Sequence, residues 1–365
     1  MDINSSNLFS CESGEKYDNH YLKKTGIFLI GYEIFYNEFV PYYNNAGFDI
    51  NRLLEFEISL PFHIALEDKS LFNFTKDNCI LHYIYNSREY EEIMSEHNDL
   101  PVKRYYTSVY IGISYNSDLH KEESRDDIHN ILFDYSLEEL NKQIIAYMIS
   151  TKDDRCYRVT KEMLFPIVVM NTVNLDEIEN DKNLFLLHGN LPYKYEHLNQ
   201  EEVFRYLEIY NIYDKKLNPI IHSELYLLKA KRNFKEGYYD DAVISIQTNI
   251  EILIRIIYRE VLICSGISDL EIEKIFEDES FMTIVKKKLS KYIGGIWDTT
   301  KEGTAIYNWY NKTYKMRNKV VHSGYFPTFS EADMAIGAAL EFRKYLLERV
   351  RKNNKTYTKL NKYFK

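Results

Sequence analysis

Cysteine, proline and glycine are all scarce: 4, 7 and 13 in a chain of 365 residues. Cys11, Cys79, Cys156 and Cys264 stand more than 60 residues apart, so no Cys-x-x-Cys metal knuckle exists. A disulfide framework is not expected in a chain of this length. So little Pro and Gly excludes collagen-like and Pro-rich architectures. No Gly-rich phosphate loop, His-Glu-x-x-His pattern, internal repeat or low-complexity tract is present. The longest apolar run, Ala242 to Cys264, is interrupted by Gln247, Glu251, Arg255, Arg259 and Glu260 and is not a membrane span. The first twenty residues contain no apolar signal-peptide core. The expectation is a cytoplasmic protein with no membrane partner, no cofactor and no metal.

What is present is ordinary globular material, 45% hydrophobic and 28% charged. That is enough for more than one core. The net charge of −9 hides an asymmetry. Residues 281–365 hold 18 Lys and Arg against 6 Asp and Glu, a net of +12, whereas residues 1–280 hold 28 against 49, a net of −21. A basic segment on an acidic body suits a polyanion such as RNA, or else docking onto its own acidic body.

The pattern predicts an α+β chain. Residues 1–22 read as a polar arm. Residues 23–200 favour strands, at Gly26–Phe35, Phe56–Leu66, Cys79–Tyr85, Tyr105–Tyr115 and Leu164–Val173, with a helix at Ser136–Ile149. Residues 201–352 read as a bundle of about five helices: Ser223–Lys235, Tyr239–Cys264, Ser268–Ile293 with a break near Asp278, Thr300–His322 and Ser330–Lys352. Val243, Ile246, Ile250, Leu253 and Ile257 form one apolar stripe on the second. Ser330 is the expected N-cap of the last. Residues 353–365 form a basic tail in which Lys355, Lys359, Lys362 and Lys365 are interleaved with Tyr357, Tyr363 and Phe364. It reads either as a solvated end or as a grip for single-stranded RNA.

The pattern with most chemistry is Arg317-Asn318-Lys319-Val320-Val321-His322, closing the fourth helix. Asn318 and His322 are four residues apart and share a face. Arg317 lies about 140° from His322, and its long side chain can swing to the same edge. A guanidinium holds phosphate oxygens in a fork, and an imidazole moves protons near neutrality. Those groups suit RNA cleavage by the substrate's own 2′-hydroxyl. Such a reaction needs both a base and an acid, which two copies of one His would supply. The plainer alternative is a pair of cations complementing a helix C-terminus.

At these residues the chain resembles the HEPN superfamily, whose signature is Arg, four to six residues, then His, often opening Arg-Asn, late in a helical bundle. The resemblance is nearest to the Apea-like and abortive-infection branches. It rests on Arg317-Asn318 and His322, on Tyr314-Lys315-Met316 before them and Gly324-Tyr325 after them, on the helix beyond the Pro327-Thr328 turn, and on Tyr239-Asp240-Asp241-Ala242 running into Ile250-Glu251. It spans residues 220–350. It implies a metal-independent endoribonuclease, active as a homodimer with its site at the seam, cutting tRNA or other RNA in antiviral defence or toxin–antitoxin systems. Arg317 and His322 would be catalytic, with Asn318 and Glu251 supporting and Lys315, Lys319 and Tyr325 binding RNA. Residues 23–200 would take a phage-derived trigger or an inhibitory partner. The plainer readings remain beside these. Asn318 can tie backbone groups together, Glu251 can pair with Arg255 on its own helix, and Tyr325 can be packing. HEPN toxins silenced by a nucleotidyltransferase carry Tyr two residues after the His, where this chain has Gly324. A HEPN module that only binds RNA, nucleotide or a partner is the second reading.

Overall fold

Strand and helix segregate along the chain. The computed structural model describes residues 27–363 except 46, 48, 96–97, 121–122, 178 and 191–196. The expected arm at 1–22, Cys11 and Phe364 lie outside the described residues. The chain divides into two units, Met1–Gly189 and Asn190–Lys365. The first is built on a sheet, the second on helices, so the fold is α+β.

The first unit is one antiparallel sheet of six strands: β1 (Arg52–Ser59), β2 (Ser70–Lys76), β3 (Cys79–Ser95), β4 (Asn98–Tyr115), β5 (Ile167–Asn174) and β6 (Glu179–Leu186). Their order is β2-β3-β4-β1-β5-β6. Strand periodicity sorts the central residues between two faces. Leu54, Phe56, Ile58, Tyr83, Ile111 and Ile113 meet helix α2 (Arg125–Thr151). That helix supplies Phe133, Leu137, Leu140 and Ile144 at helical spacing, and Phe133 lies 5.0 Å from the Phe56 ring. Leu53, Ile84, Tyr110 and Val173 face the other way, toward helix α1 (32–45) and its Phe35 and Phe39.

The expected strand at Gly26–Phe35 is therefore corrected. Gly31 takes φ +93°, which ends any extended run, and the aromatic residues beyond it sit at helical rather than alternating spacing. Pro41 lies inside this helix, where an α-turn would press its ring against the carbonyl four residues earlier. The helix widens to a π-turn at Phe35–Phe39 just before it. The other strands are shifted or longer than expected. Edge strands β2 and β6 gave no sequence signal because most of their side chains are at least partly exposed.

The α1 face of the sheet buries charge chemistry. Glu55 is fully buried and accepts from the Tyr110 hydroxyl (2.6 Å), Asn171 Nδ2 (2.6 Å) and the Leu29 N–H (3.2 Å). Gly112 stands opposite Glu55 in β4, and a β-carbon there would come within 3.0 Å of that hydroxyl. His82 is buried under Phe39, with ring centroids 3.8 Å apart, and its Nδ1 lies 2.7 Å from Asn73 Oδ1. Tyr43 bridges Ser114 and His82 Nε2.

The second unit holds α3 (Gln200–Asp214), α4 (Ile220–Lys235), α5 (Tyr239–Cys264), α6 (Asp269–Asp278), α7 (281–293), α8 (305–323), α9 (Phe329–Lys352) and α10 (Thr358–Lys362). The bounds of α5 coincide with the expected ones. Val243, Ile246, Ile250, Leu253 and Ile257 are all fully buried. Buried Asn249 of α5 and Ser223 of α4 exchange hydrogen bonds of 2.7–3.2 Å. The break near Asp278 separates α6 from α7. The N-cap of α9 is Thr328 rather than Ser330, because Thr328 forms a reciprocal capping box with Glu331. The tail folds back instead of ending as a solvated strand. Tyr357 and Leu360 are buried, and the Tyr357 hydroxyl donates to the Tyr292 carbonyl at 3.1 Å. Helix α3 had no counterpart in the sequence reading.

Burial pushes Glu55 up from 4.5 to about 7 and His82 down from 6.5 to about 3. Their effects on stability have opposite signs. Folding favours the proton on Glu55, so its contribution is lost as pH rises from about 4.5 to about 7. Folding disfavours the proton on His82, so its contribution is lost as pH falls below about 6.5. Between pH 4.5 and 6.5 the two nearly cancel. Glu55→Gln is expected to expose the His82 dependence, with sheet stability rising by about 1.4 kcal/mol per pH unit across that window. His82→Gln is expected to expose the opposite slope. Hydrogen-exchange protection of peptides from β1 and β4, measured in the full chain, reads both.

Candidate functional site

Helix α8 carries the Arg–Asn–His pattern, and its sequence explains how it is held. Thr304 caps the start by accepting from the Tyr307 N–H. A π-turn at Trp309–Tyr314 follows the first α-helical turn. This turn points two side chains into the core. Trp309 is fully buried and stacks on Phe342, with centroids 4.6 Å apart. Its indole N–H donates to Gln247 Oε1 of α5 at 3.0 Å. Thr313 donates to the Ala335 carbonyl of α9 at 2.6 Å. Past the turn, Val320 packs with Tyr239, Val243, Ala332 and Ala335. The helix ends at Gly324 in the left-handed conformation (φ +61°), where its N–H and that of Tyr325 both reach the Lys319 carbonyl.

The motif residues lie on the outer side of this anchored segment. Arg317 and Asn318 are half-buried, and Arg317 Nη1 donates to Asn318 Oδ1 at 3.3 Å. Arg317 has no carboxylate partner among the described residues. His322 is exposed, with no hydrogen bond among those of the described residues. Lys315 is exposed, donates to Asn311 Oδ1 at 2.8 Å and lies 5.2 Å from the Tyr310 ring. Lys319 sits 4.0 Å over the ring of Tyr325. The Tyr325 hydroxyl donates to both oxygens of Glu331 at 2.9 Å, and that bond raises its pKa. Tyr325 thus joins the cation face to the cap of α9.

Glu251 is bonded within its own helix. It accepts from Gln247 Nε2 at 3.0 Å, which extends the chain Trp309–Gln247–Glu251, and it makes no hydrogen bond or ion pair with Arg317 among the described residues. Nor does it pair with Arg255, whose guanidinium lies 5.3 Å from the Phe276 ring. Glu251 is thus joined to α8 through Gln247 and the Trp309 indole, two turns before Arg317.

Sequence reasoning missed two parts of this surface. One is the π-turn, whose signal is Trp309 and Thr313 on an inward face. The other is Lys286 of α7, whose ammonium lies 4.8 Å from the same Tyr310 ring that Lys315 approaches. Tyr310 stacks in turn on Tyr314 at 5.6 Å. The Lys286-Lys287-Lys288 run and the 307, 310, 314 tyrosine spacing were the available clues. Cations over aromatic rings, on and just beyond the helix that carries a half-buried guanidinium, have the chemistry to hold anions that carry flat groups. Among the described residues no three His, Cys, Asp or Glu side chains gather as a metal cluster, and no helix is long and apolar enough to cross a membrane. Comparison with protein families, curated proteins and solved structures finds no match for this chain.

Two substitutions test how the motif is held. Gln247→Leu leaves the Trp309 indole N–H buried and unpaired and is expected to cost about 1–3 kcal/mol. Gly324→Ala meets open space, so only backbone strain counts, about 1 kcal/mol. Both tryptophans, Trp297 and Trp309, lie in the helical unit. Urea unfolding followed by tryptophan fluorescence reads both costs there.

Proposed function

We propose that the helical unit is a metal-independent endoribonuclease of HEPN type, working as a homodimer in antiviral defence or abortive infection and cutting tRNA or other RNA. The observation that carries this reading is the end of α8. There a half-buried Arg317 without a carboxylate partner among the described residues shares a helix terminus with an exposed His322, beside lysines laid over tyrosine rings. A guanidinium that is partly desolvated and unpaired gains most from a phosphate.

In the proposed reaction the 2′-hydroxyl adjoining the scissile phosphate loses its proton to a general base and attacks phosphorus. The P–O5′ bond breaks, and the departing 5′-oxygen takes a proton from a general acid. The products are a 2′,3′-cyclic phosphate and a 5′-hydroxyl. Arg317 binds the non-bridging oxygens as charge builds on them. His322 serves as base or acid, and its counterpart in a second copy serves as the other. Asn318 holds the guanidinium through its Oδ1. Lys286, Lys315, Lys319 and Tyr325 bind flanking phosphates and bases. The sheet unit takes the trigger, phage-derived or otherwise, or an inhibitory partner. The second reading, a non-catalytic HEPN module, is favoured by His322 having no orienting hydrogen bond among the described residues.

The experiment is incubation of the full chain with total tRNA and a matched DNA, with and without EDTA. EDTA-resistant scission of RNA alone is expected, falling about 10²–10⁴-fold in His322→Ala and at least as far in Arg317→Ala. Undiminished cleavage in both variants overturns the catalytic assignment. Salt-sensitive RNA binding without scission selects the binding module. In either case Lys286→Ala and Lys315→Ala are each expected to lower the slope of log affinity against log salt by roughly 1, without changing sequence preference.

A further inference from the structure

Helix α3 is a well-made helix with little over it among the described residues, where Tyr213 meets the His222 ring at 6.2 Å. Asn199 and Glu202 form a reciprocal capping box at its start, yet none of its residues is buried. Seven of its large apolar side chains are substantially exposed, among them Phe204 (62%), Tyr206 (59%) and Tyr210 (56%). A helix of 15 residues is marginal in water by itself, and leaving this much apolar surface wet adds to the cost. Its sequence is one that a partner completes.

The spacing identifies the kind of partner. Val203, Tyr206, Tyr210 and Tyr213 recur at intervals of three and four, the seam of a two-helix coiled coil, with Leu207 and Ile209 flanking it. Taking roughly 200 Å² for a whole aromatic side chain, the three seam tyrosines offer about 330 Å². Val203, Leu207 and Ile209 add to this, while Phe204 lies on the opposite face of the helix and stays outside the seam. The polar positions argue against nucleic acid and anionic membrane surfaces. Gln200–Asp214 holds four acids, Glu201, Glu202, Glu208 and Asp214, against Arg205 alone. The acids Glu201 and Glu202 stand at one end, and Lys215 and Lys216 follow the other. Two parallel copies would set like charges side by side. Two antiparallel copies set each acidic end against a basic one.

We propose that α3 is a dimerisation helix that pairs antiparallel with α3 of a second copy of this chain. Opposed a and d layers then place Val203 against Tyr213 and Tyr206 against Tyr210 of the other copy, with a two-fold axis near residue 208. Leu207 meets its own counterpart across that axis, while the two Val203 side chains lie at opposite ends. The pairing goes beyond the ribonuclease reading and does not rest on it, since no residue of α3 belongs to the surface at the end of α8.

The test is the mass of the full chain by light scattering, beside Tyr206→Glu/Tyr210→Glu. Wild type is expected at an even multiple of 43.7 kDa, and the variant at half the wild-type mass, with an unchanged circular dichroism spectrum apart from α3. A monomeric wild type, or a variant of wild-type mass, overturns the proposal. So does a monomer whose α3 is protected from hydrogen exchange, which would mean that the chain covers the helix itself. Orientation is read by oxidative cross-linking over the background of the native cysteines. Leu207→Cys is expected to link two copies and Val203→Cys to link none. Equal linking by both overturns the antiparallel arrangement. Cleavage enters none of these readouts, so a variant of wild-type mass leaves the nuclease reading standing, whereas a monomeric wild type also counts against the homodimer on which that reading calls.

Discussion

Helix α5 has to be covered on most of its circumference, and the rest of the helical unit follows from how that is done. Its apolar stripe would expose several fully buried isoleucines and leucines if any neighbour were removed, at roughly 1.5–3 kcal/mol for each side chain. Two polar residues on the same helix limit how the cover is laid. Asn249 Nδ2 donates to Ser223 of α4, and Gln247 Oε1 accepts from the Trp309 indole of α8. Apolar packing alone tolerates sliding, whereas a buried amide that must meet an indole N–H does not. The register of α8 on α5 is set in this way. Arg317 and His322 inherit their place from a contact two turns earlier in the same helix.

The sheet unit uses the same device. Its α2 face is nearly all apolar and would bind many helices. Its α1 face carries Glu55 and His82 under a cover of aromatic rings, and each buried ionisable group is neutral near pH 6 because burial drives both pKa values that way. The hydrogen bonds from Tyr110, Asn171 and the Leu29 N–H to Glu55 join β4, β5 and the segment leading into α1 around one carboxyl. A neutral but fully bonded polar layer contributes little net stability and much specificity, since a displaced strand would leave several groups unpaired.

What the sequence made legible tracks how strongly each element depends on its own side chains. Helix α5 was readable to the residue because its stripe is long and its ends are marked by Tyr239 and by Gly266 just beyond Cys264. Strands β2 and β6 were unreadable because backbone pairing at a sheet edge holds them and their side chains lack alternation. Helix α1 read as a strand because its aromatic content outweighed its period over so short a window. At the site, the Arg317-to-His322 spacing was plain, while the π-turn and the Lys286–Tyr310 contact depend on α7 lying beside α8. The role of Glu251 rests on the family resemblance alone, and the hydrogen bond it makes is to Gln247, one turn back on its own helix.

A second copy of the chain is called on for two separate reasons, and they bear on one another. In-line attack would set the 2′-oxygen and the departing 5′-oxygen on opposite sides of phosphorus, so in the proposed cleavage one imidazole would not reach both and a second α8 terminus would supply the other. The apolar surface of α3 needs a cover. If the same two copies meet both needs, pairing at α3 raises the local concentration of the second α8 terminus to the order of millimolar. A weak contact between cationic surfaces is then sufficient, and it has to be weak, because two clusters of Arg and Lys repel until an RNA phosphate lies between them. Substrate would in that case complete the site that cuts it. The stable interface and the catalytic one would be different surfaces of one dimer, the first acidic and apolar, the second basic and open.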